Sequence, residues 1–319
     1  MRWISILPLK SRQQTADSRQ GIPLFLYAVY CLLSTACLLS SSPTPSLGLT
    51  ERDEQYLKEL DQVLTHVKGS YYGTIDMESL VDSTLQSVLD SLDKDSKVVK
   101  GGPPSMDFVR GLEEETSITE ARLATAEIAY VKIGFFGRRT GAHFQKALES
   151  LGCGSDTPTD VPWVRGILLD LRDNPGGHLQ SALEVLRYFV PPGKTLLIEK
   201  ARGGEKTYLS EGVGASASGG HVPLPIVILI NGSTASSAEI VAAALRYHCG
   251  ARVVGERSKG KGTIQEVIPL GTRTLILTVG EYLLPDGSSL RDKGIPPDLE
   301  VKGHEEQLQA ALSLIFGVH

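Results

Sequence analysis

A run of small and hydroxyl-bearing residues follows a short apolar stretch in the second half of the chain. Residues 231–240 read NGSTASSAEI and come directly after the strand-like run 224–230. A serine at such a strand-to-helix junction lies where free backbone amides and the helix dipole stabilise negative charge. This arrangement suits a nucleophilic serine with an oxyanion site beside it. Taken alone, the segment favours a simpler interpretation, in which its serines and Thr234 are helix caps.

A lysine between two glycines marks a second segment that could do chemistry. Residues 255–265 read GERSKGKGTIQ, with Lys261 between Gly260 and Gly262. The spacing matches a phosphate-binding loop, but Gly262 stands where that loop needs serine or threonine, and 263–268 is strand-like rather than helical. We therefore exclude a phosphate loop. Taken alone, the segment favours an exposed turn.

The elements that must position these residues are alternating strands and helices. The apolar patterns predict strands at 127–133, 166–171, 224–230, 251–255, 263–268 and 274–284, and helices at 140–151, 179–190, 237–247 and after 305. This alternation is typical of a mixed α/β core built from βαβ units. An Asn-Pro-Gly-Gly sequence at 174–177 predicts a turn after the second strand.

Two shorter regions precede this core. Residues 51–100 are predicted to form a small N-terminal helical region, in two stretches separated at Gly69. Residues 101–125 begin with a Gly-Gly-Pro-Pro cluster, carry an acidic run and are predicted to be a linker. The core is expected to span 126–319, including a last amphipathic helix.

The first 50 residues differ in composition from the rest and predict a leader. Four basic residues and one acid precede a charge-free stretch, of which 21–39 is apolar. The pattern indicates a signal peptide or signal anchor, and its serine-rich, acid-poor character also fits an organellar transit peptide. The apolar run is close to the roughly 20 residues that span a bilayer, so membrane anchorage through 21–39 is one expectation and a buried helix is the simpler alternative. We expect the body of the chain to be exported or membrane-associated, on the periplasmic or extracellular side, or to lie in an organelle lumen such as the thylakoid.

Composition and cysteine usage exclude several function classes. Of 319 residues, 41% are hydrophobic and 22% are charged, and the net charge of −5 offers no basic excess for nucleic-acid binding. Cys31 and Cys37 fall in the leader, which leaves Cys153 and Cys249 without a metal-binding or redox spacing. The seven histidines are not arranged as metal ligands. We therefore expect no metal, no cofactor and no nucleic-acid partner.

Five motifs, in order along the chain, resemble those of the tail-specific proteases, also called C-terminal processing peptidases. These serine endopeptidases use a Ser/Lys pair. The matching segments are SLDKDS at 91–96, LDLRDNPGG at 169–177, NGSTASSAEI at 231–240, GKGTIQ at 260–265 and YLLPDGSSLRDKGIPPD at 282–298. The resemblance implies the crotonase-like or ClpP-like spiral core of that family, protein or peptide substrates, and cleavage of C-terminal tails or unstructured regions.

The family pattern also assigns roles to particular residues. Its nucleophile and lysine stand 25 positions apart, which selects Ser236 as the nucleophile and Lys261 as the general base. Gln265 falls where the family places the residue that orients the lysine, and positions 261 and 265 share a face if the segment is a strand. With this assignment, we expect the backbone amides of Ser237 and Gly176 to hold the oxyanion. Substrate-binding residues and the oligomeric state stay unassigned.

Three departures from the family pattern accompany the resemblance. Tyr247 stands where the family often has the acid of Gln-Asp-His, and Lys259 replaces a phenylalanine before the GKG. Only 30 residues separate Ser96 from Glu127, too few for the PDZ domain of roughly 80–90 residues that members normally carry there. The alternatives are therefore a catalytically weak or non-catalytic binding protein on the same core, and a truncated gene model of a PDZ-containing peptidase.

Overall fold

The structure of the protein is a computed structural model that describes residues 50–101, 117–153, 164–212 and 224–317. The predicted leader, apart from its last residue, lies outside these ranges, and with it lie the apolar run 21–39, Cys31 and Cys37. Within the described ranges, no helix combines the length and the apolar character that are needed to cross a membrane.

The described residues form six helices and eleven strands. The helices are α1 (Glu51–Ser70), α2 (Met77–Asp90), α3 (Thr140–Ser150), α4 (Leu179–Arg187), α5 (Ser237–Cys249) and α6 (His304–Ile315). The strands are β1 (Lys97–Lys100), β2 (Ile118–Thr125), β3 (Ile128–Ile133), β4 (Gly166–Asp170), β5 (Thr195–Ala201), β6 (Gly204–Leu209), β7 (Ile226–Ile230), β8 (Arg252–Gly255), β9 (Thr263–Leu270), β10 (Arg273–Leu283) and β11 (Leu299–Glu300). This composition confirms the mixed α/β class that the sequence predicts.

Six strands form a mostly parallel sheet in the order β11-β8-β7-β4-β3-β2, in which β2 runs antiparallel to β3. Successive residues of a strand point to opposite faces. Val131, Leu169 and Ile228 pack on the face that α3, α4 and α5 cover, whereas Tyr130 and Leu168 pack on the face that α6 covers. The central strands β4 and β7 are buried throughout, which explains their continuous apolar sequences. Because β4 and β7 are parallel neighbours, the loops after both strands meet at one edge of the sheet.

The other five strands form an antiparallel sheet around the long strand β10. Along one edge, β10 pairs with β9 from Arg273 to Glu281. Its other edge is shared, because β1 pairs with Arg273–Ile276 and β5 pairs with Gly280–Leu283. The hairpin partner β6 extends the sheet beyond β5. The N-terminal region is therefore part of this sheet through β1.

The N-terminal region differs from the all-helical prediction for 51–100. α1 and α2 are helices, but Lys97–Lys100 forms β1. No residue of α1 is buried, and Tyr56, Leu57, Leu60 and Val63 are exposed. α2 contacts the rest of the fold, where Asp82 accepts a hydrogen bond from Arg273 Nε of β10 at 2.6 Å.

Besides β1, four strands lie where the sequence predicts none. Ile118–Thr125, within the predicted linker 101–125, forms β2, Thr195–Ala201 and Gly204–Leu209 form the hairpin β5–β6, and Leu299–Glu300 forms the short strand β11. β2 and β6 are edge strands with many polar and charged residues, so they give no apolar strand signal. Backbone pairing with β3 and β5 holds them in place. The linker prediction is therefore wrong for the eight residues of β2.

A buried ion pair joins the end of β4 to the last helix. Asp170 is fully buried and accepts hydrogen bonds from Arg172 Nε at 3.0 Å, from Arg172 Nη2 at 2.5 Å and from the Tyr130 hydroxyl at 2.7 Å. Arg172 Nη1 donates in turn to the His304 carbonyl at 2.7 Å and to Gln307 Oε1 at 3.2 Å. Burial raises the pKa of Asp170, but the hydrogen bonds and charge of Arg172 outweigh it and hold the pKa below its ordinary value. The pair fixes the start of α6 against the strand that leads into the Asn-Pro-Gly-Gly turn.

Arg172→Met should destabilise the fold, because it leaves the Asp170 carboxylate buried without its charged partner. We expect a loss of about 3–5 kcal/mol in the free energy of unfolding, measured by urea denaturation of the full chain at neutral pH. The matched control is Arg165→Met, since Arg165 pairs with Glu127 at 3.6 Å but is exposed. That variant should lose less than about 1 kcal/mol, and equal losses in the two variants would contradict a supporting role for the buried pair.

Candidate active site

The junction between β7 and α5 holds Ser236 in a constrained backbone conformation. Ser236 is the N-cap of α5 and has φ 55° and ψ −123°. Positive φ is uncommon for residues other than glycine and persists only where the surrounding structure enforces it. Ser236 is partly buried, whereas its neighbours Ala235 and Ser237 are buried. The junction therefore leaves this serine accessible and buries the residues around it.

The Asn-Pro-Gly-Gly turn after β4 lies directly against this junction. Gly176 has φ 97°, and a Cβ at this position would lie 2.7 Å from Ser236 Cβ and 2.8 Å from the Ala235 carbonyl oxygen. Only glycine allows so close an approach. The Ser237 hydroxyl donates a hydrogen bond to the Gly177 carbonyl at 2.9 Å. The structure thus brings Gly176, Ser236 and Ser237 together.

The backbone amides of Ser237 and Gly177 have no hydrogen-bond partner among the described residues. The Ser237 amide lies in the first turn of α5, where helix amides lack an acceptor within the helix. The Gly176 amide, by contrast, donates to Asn174 Oδ1 at 2.8 Å. The amides of Ser237 and Gly177 are therefore available as donors, while Gly176 provides the close packing against Ser236.

One buried carboxylate connects the Ser236 junction to the segment that carries Lys261. Glu239 is fully buried, and its Oε2 accepts hydrogen bonds from the backbone amides of Ser236 at 2.8 Å and of Lys261 at 2.9 Å. Its Oε1 accepts from the Ser258 hydroxyl at 2.5 Å and from the Gly260 amide at 2.7 Å. Burial raises the pKa of Glu239, and these donors counteract part of the rise. The backbones of Ser236 and Lys261 are thereby fixed to the same carboxylate oxygen.

The loop before β9 is held from its other side by residues 290–295. The Ser258 hydroxyl oxygen accepts from the Ile295 amide at 2.6 Å, and the Gly260 carbonyl accepts from the Asp292 amide at 2.9 Å. Gly260 has φ 78°, and a Cβ there would lie 2.8 Å from a backbone nitrogen of the facing segment. A glycine is therefore required beside the lysine, because both the backbone conformation and the available space exclude larger residues.

Gln265 lies in β9 with its side chain buried. Its Nε2 donates to the Asp95 carbonyl at 2.8 Å, and the Thr263 hydroxyl donates to the Asp95 carboxylate at 3.2 Å. β9 begins at Thr263, so Lys261 precedes the strand instead of belonging to it. Lys261 is partly buried and Lys259 is exposed. The sequence predicts that positions 261 and 265 share one face of a strand. In the structure that face of β9 carries Thr263 and Gln265, and Lys261 lies in the loop before it.

The position where the family often has an acid lies at the far end of α5. Tyr247 is 58% exposed and precedes the last two residues of the helix. Ser236 caps the opposite end, which at about 1.5 Å per residue places the two backbones roughly 16 Å apart. This departure from the family pattern therefore lies away from the junction.

Glu239 and Asp95 are site residues that the sequence analysis does not select. Glu239 has a sequence signal, because a serine followed three positions later by glutamate at a helix start is a capping-box pattern. Asp95 has no comparable signal, since its contact with Gln265 joins positions 170 residues apart.

The described residues include no group of three or more His, Cys, Asp or Glu side chains that could hold a metal ion. Cys153 and Cys249 are free thiols, and burial raises the pKa of each to about 11. Both thiols are therefore protonated and unreactive at neutral pH.

The chain is similar to a group of processing proteases. The sequence model of Peptidase family S41 matches residues 127–301. The carboxy-terminal-processing protease of Bartonella bacilliformis is 30% identical over 246 residues, which cover 73% of this chain and 54% of that protein. The carboxy-terminal processing protease CtpB of Bacillus subtilis is 32% identical over 191 residues, which cover 59% of this chain and 37% of that protein. The chain thus spans about half, or less, of the length of these relatives.

Two solved structures share the fold. A lipoprotein from Streptococcus agalactiae has a TM-score of 0.58 at 20% identity, covering 81% of this chain and 88% of that chain. A Bacteroides fragilis protein named as an S41 protease has a TM-score of 0.53 at 18% identity, covering 64% of this chain and 59% of that chain. At these identities the likeness shows the fold alone.

Glu239→Gln should weaken the junction, because one of the two carboxylate oxygens becomes an NH2 group and two donors lose their acceptor. We expect the free energy of unfolding to fall by about 1.5–3 kcal/mol. Hydrogen exchange should become faster at the amides that lose their acceptor, either Ser236 and Lys261 or Gly260, as measured by mass spectrometry or NMR. Glu300→Gln is the control, because Glu300 is exposed in β11 and should change stability by less than about 0.5 kcal/mol. Unchanged exchange at all three amides in a folded Glu239→Gln variant would contradict the bridging role.

Proposed function

The chain belongs to Peptidase family S41, whose sequence model matches more than half of it, and from this premise we propose a specific activity. The protein is a serine-type endopeptidase that cleaves C-terminal tails or unstructured regions of protein substrates. Ser236 is the nucleophile, Lys261 is the general base and Gln265 orients the lysine. The names of the curated relatives, carboxy-terminal processing proteases, support this substrate class.

The observation that carries this proposal is the bridge made by Glu239. A single oxygen accepts the backbone amides of both Ser236 and Lys261, so the two nitrogens lie within two hydrogen-bond lengths of each other. A lysine side chain can span that separation. The bridge therefore supports a serine and a lysine acting as a pair, although 25 positions separate them in the sequence.

The reaction that this arrangement supports begins at the Ser236 hydroxyl. Ser236 Oγ attacks the scissile carbonyl carbon while the Lys261 amine takes the hydroxyl proton and then gives it to the departing amine. Water, deprotonated by the same lysine, then hydrolyses the acyl-enzyme ester. The lysine can act as a base only when neutral, so its pKa must lie well below about 10.4. Gln265 can orient the amine without adding a negative charge, which would raise that pKa again.

Backbone amides hold the negative charge of the tetrahedral intermediate. The Ser237 amide suits this role, because it lies at the positive end of the α5 dipole and next to the nucleophile. The sequence analysis predicts Gly176 as the second donor, but its amide already donates to Asn174 Oδ1. We therefore assign the second donor to the adjacent Gly177, whose carbonyl is held by the Ser237 hydroxyl.

Location and domain organisation also belong to the proposal. We place the peptidase outside the cytosol, exported or membrane-associated through residues 21–39, or in an organelle lumen. Chloroplastic processing peptidases among the relatives fit the second location. Only residues 102–116 separate the described residues after β1 from those before β2, an interval too short for a PDZ domain of roughly 80–90 residues. We therefore assign substrate binding to the protease core.

Ser236→Ala and Lys261→Ala should each abolish cleavage, because one removes the nucleophile and the other removes the proton acceptor. We expect rates at least about 10³-fold below wild type on an unfolded protein substrate, with products followed by mass spectrometry. The wild-type kcat/KM should rise with pH as the lysine loses its proton, because only the neutral amine can accept the proton of the serine hydroxyl.

Ser233→Ala and Lys259→Ala are the matched controls, since both residues are exposed in the same two loops. Each should retain the wild-type turnover. Wild-type turnover in Ser236→Ala or in Lys261→Ala would overturn the dyad. Failure of the wild-type chain to cleave any unfolded protein would instead favour a non-catalytic binding protein on the same core.

A further inference from the structure

A tight turn between α2 and β1 connects the N-terminal region to the proposed site. Asp93 Oδ1 accepts hydrogen bonds from the backbone amides of Asp95 and Ser96, both at 2.8 Å, and Oδ2 accepts from the Ser96 hydroxyl at 3.1 Å. These bonds close an Asx-type turn over residues 93–96. Burial raises the pKa of Asp93, but the hydrogen bonds from Ser96 and Asp95 outweigh it and hold the pKa below its ordinary value. The carboxylate that closes the turn is therefore ionised at neutral pH.

This turn contacts both members of one cross-strand pair in the antiparallel sheet. Gln265 of β9 lies opposite Thr278 of β10. The Asp95 carbonyl accepts from Gln265 Nε2 at 2.8 Å, and the Ser96 hydroxyl oxygen accepts from the Thr278 amide at 3.0 Å. Asp93 Oδ1 also accepts from the Thr278 hydroxyl at 3.2 Å. Because the β9–β10 register shifts directly after this pair, the turn supplies partners where the ladder is irregular.

The contact with Asp95 decides which end of the Gln265 amide is available to the site. A primary amide donates through its nitrogen and accepts through its oxygen, whereas a backbone carbonyl only accepts. Gln265 is 6% exposed and its Nε2 is committed to Asp95, so Oε1 is the end left to accept a hydrogen bond from an amine. A flipped amide would instead turn N–H groups toward the protons of the lysine.

We propose that the 93–96 turn is a positioning element: it fixes the Gln265 amide so that Oε1, and not the NH2 group, faces the Lys261 amine. This inference rests on the proposed Ser/Lys function. Asp93 holds the turn, the Asp95 carbonyl holds the amide, and Gln265 is the residue through which both act. The N-terminal segment thus completes a site whose lysine and glutamine lie more than 160 positions later in the sequence.

Asp93→Ala should lower kcat, because it releases the turn and lets the Gln265 amide rotate. We expect kcat on an unfolded protein substrate to fall about tenfold or more, with KM little changed because the turn acts through Gln265 and not through substrate. Asp93→Asn should recover most of the activity, since asparagine supports the same turn. Asp90→Ala is the matched control, because Asp90 is an exposed carboxylate three positions before Asp93, at the end of α2. It should keep the wild-type kcat.

A double-mutant cycle separates positioning from a general loss of structure. If the turn acts through Gln265, Asp93→Ala should cause no further loss of kcat in a Gln265→Ala background, whereas independent effects would multiply. If Gln265→Ala is too slow to measure, Gln265→Met replaces it, because a thioether side chain is of similar length, adds no charge and has no amide to orient. If Asp93→Ala fails to fold in a urea denaturation assay, Ser96→Ala takes its place and removes the hydroxyl between Asp93 and Thr278.

The outcomes distinguish this inference from the proposed function. A folded Asp93→Ala variant with wild-type kcat, or losses that multiply in the cycle, would overturn the role of the turn. Ser236→Ala is measured in the same assay. Turnover in Ser236→Ala would refute the dyad itself, whereas an inactive Ser236→Ala beside an unaffected Asp93→Ala would refute the positioning role alone.

Discussion

A carboxylate removed from water needs hydrogen-bond donors for both of its oxygens, and Glu239 finds them on two separate loops. The first loop contains Ser236 with its positive φ, and the second contains Gly260 and Lys261. Each loop supplies donors that the buried charge requires, and the charge holds each loop in a conformation that its sequence would not adopt unaided. Stability and proposed chemistry therefore depend on the same group.

The two sheets contribute different parts of the site. The parallel sheet ends in the junction that carries Ser236 and in the glycine turn beside it, and the Asp170–Arg172 pair ties that end of the sheet to α6. The antiparallel sheet carries Gln265, and the loop that leads into it carries Lys261. The serine and the lysine are thus presented by separate layers. Glu239 holds the backbones of Ser236 and Lys261 on one carboxylate oxygen, and the 93–96 turn holds the Gln265 amide.

The sequence predicts the interior of this molecule better than its edges. β4 and β7 are recognisable because burial on both faces demands continuous apolar residues. Ser236 and Lys261 are selected as candidates because their separation of 25 positions matches the family pattern. β1, β2 and β6 are held by backbone pairing at sheet edges, which places few demands on side chains. No side-chain pattern predicts a role for the Gly177 amide, because it is a backbone group of a residue without a side chain. The contact between Asp95 and Gln265 depends on how distant segments pack, which local pattern does not encode.

The shared edge of β10 sets the order in which the molecule can be completed. Lys97 of β1 pairs with Ile276 of β10, so β1 is synthesised well before the strand with which it pairs. At about 5–20 residues per second, the interval between the synthesis of β1 and that of β10 is roughly ten to thirty seconds. Contacts of such long sequence separation also form late in folding. A chain with this topology forms the contact between the 93–96 turn and Gln265 only after β9 and β10 have been made, so the proposed site is incomplete in the nascent chain until then.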